Sequence, residues 1–493
     1  MDINHSVFPK NFFWGGALSA RQAEGAWNVD GRGESVNDHL TLGTKASPRI
    51  FTEVIDSEHI YPTQYGADFY HHYKEDIALF AEMGYKMFRL SISWTRIYPN
   101  GDDAAPNREG IAFYRSVFQE LRKYGIEPLV TISHGDMPYA LAKKYDGWLN
   151  RKCIDFFSNY VTTLFNEYKG LVKYWITFNE INTVTAGMPF YKAGIMSTAR
   201  KNLDPSGLNL YDNEEEKRET QNKQYNALHN MLVASAKAVR IGHEINPENK
   251  IGGMLCGLCQ YPYSCNPDDV ILTQKNRRYN YYFAGDVQVW GEYPCYTERM
   301  LNEMGVTLQI QPEDLRILKA GTVDFYSLSY YGSGCSTVDE SIKKTAGNCV
   351  FGTMNPYLKT SHWGWQIDPQ GIRFFLNDMY DRYRIPLMIV ENGLGQDDVL
   401  ESDHTVHDDY RIEYHREHIK QLAEAVKDGV DLLAYTTWGC IDFTASSTGE
   451  MAKRYGFIYV DAKDGGIGTF KRYKKDSFYW YKKVIASNGA NLD

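Results

Sequence analysis

The chain is predicted to fold as a single (β/α)8 barrel with long loops between its strands and helices. Eight short runs of strand-forming residues alternate with amphipathic stretches. Most of these runs are almost continuously apolar, as is typical of parallel strands covered on both faces. Eight strands alternating with helices indicate a closed parallel barrel. No Pro-, Gly- or Ser-rich linker divides residues 1–493, so one domain is expected, although a length of about 150 residues per domain would allow three.

The predicted strands and helices follow one another along the whole chain. The strands are Phe12–Ala20, Lys86–Ser93, Glu127–Ser133, Val172–Asn179, Lys250–Cys256, Asp324–Tyr331, Pro386–Glu391 and Asp431–Trp438. The helices are Ala67–Met83, Ile111–Tyr124, Asn150–Tyr168, Gln221–Ile245, Arg278–Glu303, Gln370–Arg382 and Asp408–Lys427. Several helices precede a glycine, which ends a helix in the left-handed conformation without strain. The charged run Asp212–Glu219 is a solvated loop or a helix start, and Val338–Ser361 is a long insertion typical of a pocket wall.

Composition narrows the classes of function. The net charge of −9 argues against a nucleic-acid partner, which usually requires a basic face. The aromatic content of 14% suits a pocket for a polyhydroxylated ligand, because Tyr and Trp combine a flat apolar face with a polar edge. No apolar run is long enough to cross a membrane, and the N-terminal residues do not resemble a signal peptide. The eight cysteines show no disulfide framework, so free thiols in a cytoplasmic protein are expected.

Two predicted strands end in a glutamate that has an asparagine beside it. Glu180 closes the fourth strand in the run T-F-N-E, and Glu391 closes the seventh in I-V-E-N-G. A carboxylate that follows an apolar run requires a reason, because burying it without a partner is costly. An ion pair with an arginine at the barrel mouth would explain one such residue. Two on the same rim favour a functional site, because active sites of these barrels lie at the carboxyl ends of the strands.

Hydrolysis of a glycosidic bond requires at least two carboxyl groups that face each other. One is held protonated and donates to the leaving oxygen, while the other is ionised and attacks the anomeric carbon. Burial and mutual repulsion separate their pKa values. Two glutamates at the mouth are therefore compatible with glycoside hydrolysis.

The chain resembles family 1 glycoside hydrolases over essentially its full length. The matching segments are Phe12–Trp27 (FFWGGALSARQAEGAW), Phe88–Ile97 (FRLSISWTRI), T-F-N-E at 177–180, I-V-E-N-G at 389–393, and Trp438. The resemblance implies that Glu180 is the acid/base, that Glu391 is the nucleophile, and that configuration is retained. It also implies that Arg89 and Tyr331 support the nucleophile. The residues that it assigns to the sugar and the aglycone are Gln22, His134, Asn179, Trp438 and Trp363.

The segment after the eighth strand departs from the β-glucosidase pattern. That pattern carries a Glu-Trp pair that reads the sugar hydroxyls O4 and O6, whereas Ala445 and Ser446 stand here. The following residues resemble the 6-phospho-β-glycosidase branch, in which a Ser, a Lys and a Tyr hold the 6-phosphate. Lys453 and Tyr455 match two of them. Replacing an acidic residue by an ammonium, a hydroxyl and a phenol turns a hydroxyl site into an anion site. A surface basic patch is the alternative for this K-R-Y run.

Several details stay open within this resemblance. The phosphate serine usually stands where Ala445 lies, so Ser446 or Ser447 must replace it, and Ser446 is favoured. The absence of a Trp between Phe443 and Tyr455 favours 6-phosphoglucosides over 6-phosphogalactosides. Gly135 replaces an aromatic residue after His134, and Ser329 replaces an Asn. Both replacements reshape the neighbouring pocket.

The expected ligand is a phosphorylated β-glucoside, with no cofactor and no metal. The pair Cys256 and Cys259 is expected to be packing, and the histidines at 404, 407, 415 and 418 are expected on a solvated face rather than around a metal. A plain β-glucosidase, a 6-phospho-β-galactosidase and a non-catalytic sugar-phosphate sensor are the alternatives. A homo-oligomer is compatible with the sequence.

Overall fold

Eight parallel strands close into one barrel in a computed structural model that describes residues 6–186, 189–199, 211–342 and 352–493. The barrel strands are β1 (Phe13–Ala17), β2 (Met87–Ser91), β3 (Glu127–Ser133), β4 (Tyr174–Phe178), β5 (Lys250–Cys256), β6 (Phe325–Ser329), β7 (Leu387–Glu391) and β8 (Leu432–Trp438). Each strand pairs with its neighbours in sequence, and β1 closes the barrel against β8. The predicted barrel and its eight strands are confirmed.

Helices follow each strand and cover the outside of the barrel. The longer ones are Phe69–Met83, Arg108–Lys123, Lys152–Glu167, Glu214–Ile245, Pro267–Arg277, Phe283–Trp290, Thr297–Met304, Asp314–Ala320, Pro369–Tyr383, Asp409–Lys427 and Asp476–Ala486. The acidic run at 212–219 is a helix start, since the Asn213 side chain accepts a hydrogen bond from the Glu216 backbone N–H. Short helices at Ala20–Ala23, Trp94–Ile97, Tyr139–Tyr145 and Pro189–Ala193 lie in the loops at the barrel mouth.

The prediction of one continuous helix over Arg278–Glu303 is wrong. A π-helical turn at Arg278–Tyr282 leads into Phe283–Trp290, and the next helix starts only at Thr297. The break follows from Gly291, whose φ of 70° ends the first helix in the left-handed conformation, and from Pro294 beyond it. The long insertion at 338–361 falls partly outside the described residues. Its described part contains the strand Lys359–Thr360, which pairs with Gln366–Ile367.

The barrel interior changes from apolar to charged towards the mouth. Its lower layer is apolar and includes Met87, Leu129, Ile176 and Met254. Arg89 lies two residues beyond Met87 and therefore on the same face of β2, because side chains alternate along a strand. Its guanidinium is completely buried and donates to the Met254 sulfur and the Thr131 hydroxyl. Arg89 is therefore the first charged residue above the apolar layer, and its side chain is held in place.

A hairpin outside the barrel anchors the loop that follows β8. Its strands are Ile458–Lys463 and Ile467–Lys474. Arg454 forms a backbone bridge with Gln396, and its guanidinium donates to Asp442 (2.9 Å) and to carbonyl groups of the hairpin. The position of Lys453, the preceding residue, is thereby fixed at the barrel mouth.

Candidate active site

Glu391 is the last residue of β7 and is 4% exposed. One of its carboxylate oxygens accepts a hydrogen bond from Arg89 (2.5 Å) and the other accepts one from Tyr331 (2.7 Å). Arg89 also donates to the Asn179 side chain (2.7 Å), so it links the two predicted catalytic strand ends. Arg89 lies within β2 rather than at its end. The Gly393 position of the E-N-G run has no room for a side chain, because a Cβ atom there would lie 2.7 Å from the Trp438 carbonyl oxygen.

Glu180 lies two residues beyond the end of β4 and faces the same mouth. Its φ of 43° is left-handed, which is uncommon for a residue other than glycine and is typical of a constrained functional position. One carboxylate oxygen accepts a hydrogen bond from the Ser329 hydroxyl (2.7 Å), and the other contacts the Lys192 ammonium (3.2 Å). Both neighbours come from loops or strand ends at the mouth.

The pKa values of the two carboxyl groups move in opposite directions and in the reverse of the expected order, because the surroundings favour ionisation of the acid/base candidate Glu180 rather than of the nucleophile candidate Glu391. Burial opposes ionisation of Glu180, but the Lys192 ammonium and the Ser329 hydroxyl outweigh it, so its pKa is lowered. Burial raises the pKa of Glu391 above its usual value; Arg89 opposes the increase, and the charge of Glu180 adds to it. The two groups therefore influence each other's protonation, as coupled carboxylates do.

A polar wall lies beside the carboxylates and contains three of the predicted sugar-binding residues. The rings of His134 and Trp438 lie nearly parallel, with 5.8 Å between centroids. The Gln22 side chain donates to the Thr444 carbonyl (2.7 Å) and accepts from Ser19 (2.8 Å). The Nδ1 atom of His134 is buried and has no hydrogen-bond partner within the described structure. Burial, followed by the charges of nearby cations, lowers the pKa of His134 well below its usual value, so the ring is neutral.

Lys453 and Tyr455 lie together at another side of the mouth. The Lys453 ammonium is 5.7 Å from the centre of the Tyr455 ring, 4.9 Å from that of Trp363 and 4.2 Å from that of Trp365. Gly395 leaves space for both residues, since a Cβ atom there would clash with the Tyr455 ring and the Lys453 stem. Lys453 is only 1% exposed, so the alternative of a surface basic patch is wrong. The predicted aglycone wall, Trp363, is a neighbour of the predicted phosphate residues.

Ser446 makes contacts that the sequence did not predict. Its hydroxyl accepts a hydrogen bond from Arg21 (3.0 Å) and bonds to the Tyr191 hydroxyl (2.8 Å). Arg49 donates to the Ser446 carbonyl (3.2 Å). Ser447 is half-buried in the same loop. The favoured phosphate serine is therefore held by an arginine of the N-terminal segment.

Four functional candidates escaped the sequence reasoning. Arg21 and Arg49 are both buried, and burial lowers their pKa values to about 10 and about 9. Lys192 and Trp365 contact Glu180 and Lys453, respectively. The sequence did offer a pointer to Trp365, because it is the second tryptophan of the run S-H-W-G-W that contains Trp363. The other three are basic residues in short helices or loops at the mouth, whose orientation no periodicity reveals.

No group of His, Cys, Asp and Glu residues within the described ranges could hold a metal ion. The prediction of a solvated face is wrong for two of the histidines at 404–418. His415 and His418 are completely buried and bond to the Tyr435 hydroxyl and the Tyr414 carbonyl. Cys256 is the last residue of β5, and Cys259 is the first residue of a separate short strand, Cys259–Pro262.

Comparison with known proteins places this geometry in a family. The sequence model of Glycosyl hydrolase family 1 matches residues 4–490. The chain belongs to glycosyl hydrolase family 1. Among curated relatives, it is 52% identical to a 6-phospho-beta-glucosidase of Clostridium longisporum over 99% of this chain and 98% of the relative. It is 50% identical to the 6-phospho-beta-glucosidase AscB of Escherichia coli (strain K12) over 99% of this chain and 100% of the relative.

Solved structures agree with the assignment. The family 1 β-glucosidase of Thermotoga maritima superposes with a TM-score of 0.80 at 30% identity, covering 98% of each chain. The predicted family and barrel are therefore confirmed. Among the described residues, no helix is both long and apolar enough to cross a membrane.

Proposed function

We propose that this family 1 glycosidase hydrolyses 6-phospho-β-glucosides with retention of configuration and releases glucose 6-phosphate. The observation that carries the phosphate specificity is the buried ammonium of Lys453 beside Tyr455 at the barrel mouth. An ammonium and a phenol both donate hydrogen bonds to a phosphate, and the bond from the charged group is the stronger of the two. The names of the relatives at 52% and 50% identity support the same substrate class.

Glu391 acts as the nucleophile in this proposal. Its oxygen forms a bond to the anomeric carbon while the bond from that carbon to the aglycone oxygen breaks. Arg89 and Tyr331 occupy one oxygen each, so they orient the carboxylate and stabilise its charge before attack.

Glu180 acts as the acid and then as the base. It donates its proton to the departing aglycone oxygen in the first step. In the second step it takes a proton from water, the water oxygen bonds to the anomeric carbon, and Glu391 leaves as a carboxylate. Gln22, His134, Asn179 and Trp438 hold the sugar in this proposal, with no cofactor or metal involved.

Lys453, Tyr455 and a serine hold the phosphate. Arg21 donates a hydrogen bond to Ser446, so a phosphate bound to Ser446 would lie close to Arg21. Ser447, in the same loop, is the alternative serine. The chromogenic substrate p-nitrophenyl β-glucoside, with and without a 6-phosphate, tests the assignment. We expect kcat/KM for the phosphorylated compound to be higher by at least about tenfold, since each charge-assisted hydrogen bond contributes about 1.5–3 kcal/mol.

Lys453→Met is the matched variant for this test. Loss of the ammonium should lower kcat/KM for the phosphorylated glucoside by about tenfold to a hundredfold and leave the plain glucoside nearly unchanged. Lys471→Met, at an exposed lysine of the hairpin, is the control and should change neither. Faster turnover of the plain glucoside by the unmodified enzyme would contradict the phosphate specificity. The 6-phosphogalactoside, included as a third substrate, tests the alternative sugar.

A further inference from the structure

The acid/base candidate Glu180 contacts a lysine on a mouth loop. The Lys192 ammonium lies 3.2 Å from one Glu180 oxygen, and both side chains are 14% exposed. Lys192 belongs to the five-residue helix Pro189–Ala193. An ion pair at this place is unexpected, because a general acid must carry a proton and a neighbouring cation opposes protonation.

Gly135 provides the space that Lys192 occupies. A Cβ atom at Gly135 would have the Lys192 Cδ atom and the Tyr191 carbonyl oxygen as its neighbours, each at 3.7 Å. The lysine stem therefore passes over a position without a side chain. The φ of 76° at Gly135 favours glycine.

Other groups around Glu180 do not cancel the effect of Lys192. Ser329 donates a hydrogen bond from β6, and the Cys256 thiol approaches from the end of β5. Further charged or titratable groups that interact with Glu180 include Glu391 on β7, Tyr331 after β6 and Arg21 on the Ala20–Ala23 helix. Arg21 and Lys192 both favour the ionised form of Glu180, whereas Glu391 disfavours it, and Lys192 alone among them contacts a Glu180 oxygen within the described residues.

We propose that Lys192 is a positioning residue for the acid/base carboxylate and that its ammonium sets the upper pH limit for hydrolysis of glucosides with poor leaving groups. The proposal rests on the role of Glu180 in the proposed function. Lys192 keeps Glu180 ionised, which favours the second step, in which Glu180 accepts a proton from water. The same contact disfavours the first step at high pH, in which Glu180 must donate a proton to the leaving oxygen.

The pH profile of kcat/KM in Lys192→Met tests the proposal. Methionine keeps a similar stem and removes the charge, so the pKa of Glu180 should rise. The alkaline limb for an alkyl glucoside should then move to higher pH by about one unit or more. With a 2,4-dinitrophenyl glucoside, whose leaving group needs no proton, the variant should leave the alkaline limb unchanged. Lys192→Arg should keep the limb of the unmodified enzyme, because it restores a cation.

A control separates the charge effect from general damage. Lys143→Met removes an exposed ammonium that lies over the Tyr139 ring, and it should not move the limb. An alkaline limb at the same pH in Lys192→Met, or one moved to lower pH, would overturn the proposal.

The choice of substrate separates this proposal from the proposed function. The pH test uses whichever glucoside, phosphorylated or plain, the unmodified enzyme hydrolyses, so failure of the phosphate specificity leaves it intact. An enzyme that hydrolyses neither would overturn both proposals.

Discussion

Glu391 and Glu180 face the same barrel mouth, but their cations are supported differently. Arg89 lies within a barrel strand, is completely buried and is fixed by Thr131 and Asn179 as well as by Glu391. Lys192 lies in a loop helix, and an ammonium on a four-carbon stem is a flexible point charge. A rigid guanidinium suits a nucleophile that must stay in one place. A flexible ammonium suits a group that gains and loses a proton in each turnover.

Removal of Glu391 should have the largest effect. Glu391→Gly deletes the atom that bonds to the anomeric carbon, so kcat should fall by about 10⁴-fold or more. Azide added to this variant should restore turnover through direct attack and yield the inverted α-glycosyl azide. NMR measurement of the anomeric configuration of the product checks the outcome. Normal activity in the variant would contradict the assignment of the nucleophile.

Glu180→Ala is the matched variant for the second carboxylate. It leaves the nucleophile in place, so the covalent intermediate still forms from a substrate with a good leaving group. Azide should attack that intermediate and yield the retained β-glycosyl azide. An inverted product from Glu180→Ala would mean that the two roles are exchanged.

Removal of the rigid cation should have the next largest effect. Arg89→Met leaves Glu391 buried without its guanidinium, which costs about 3–5 kcal/mol in the free energy of unfolding while the carboxylate stays charged. The pKa of Glu391 should rise further. Because the nucleophile must be ionised, the acid limb of kcat/KM should move to higher pH, the opposite limb from that affected by Lys192→Met. Urea denaturation and the pH profile measure the two effects, and an unmoved acid limb would contradict this view of Arg89.

The hydroxyl groups that complete the two sites should have the smallest effects. Tyr331→Phe removes one hydrogen bond to Glu391, and Ser329→Ala removes one to Glu180. A hydrogen bond to a charged group contributes about 1.5–3 kcal/mol, so Tyr331→Phe should lose roughly tenfold or more in kcat/KM with every leaving group. Ser329→Ala removes a donor to ionised Glu180, so its alkaline limb should move to higher pH with poor leaving groups and stay in place with good ones. Equal effects across leaving groups in both variants would remove the distinction between the sites.

Strand patterning explains why the barrel and its two glutamates were predictable. Apolar runs mark parallel strands, and a polar residue directly after such a run must lie at the mouth. Glu180 and Glu391 therefore follow from local sequence, whereas Arg89 lies within β2 and was identified only through the resemblance to the family. Their contacts confirm that these groups meet, although no sequence pattern supplied the distances.

Loop orientation explains what was not predictable. Ser446 turns to Arg21 because of how two distant loops pack, and Lys192 reaches Glu180 across the space at Gly135. His415 and His418 are buried although their helix is polar in sequence. The Tyr435 hydroxyl bonds to one ring nitrogen of His415, and the Tyr414 backbone carbonyl bonds to one ring nitrogen of His418. Tertiary contacts of this kind leave no period in the sequence.

Lys453 and Arg454 are adjacent cations with opposite surroundings. Lys453 faces the aromatic rings at the mouth, whereas Arg454 is tied to Asp442 and to the backbone of the outer hairpin. Deletion of one residue between Ala445 and Lys453 would shift Arg454 to the position that faces the mouth. Insertion of one residue would instead shift Lys453 to the position that faces the scaffold. Loop length, as well as loop composition, therefore decides which cation faces the mouth.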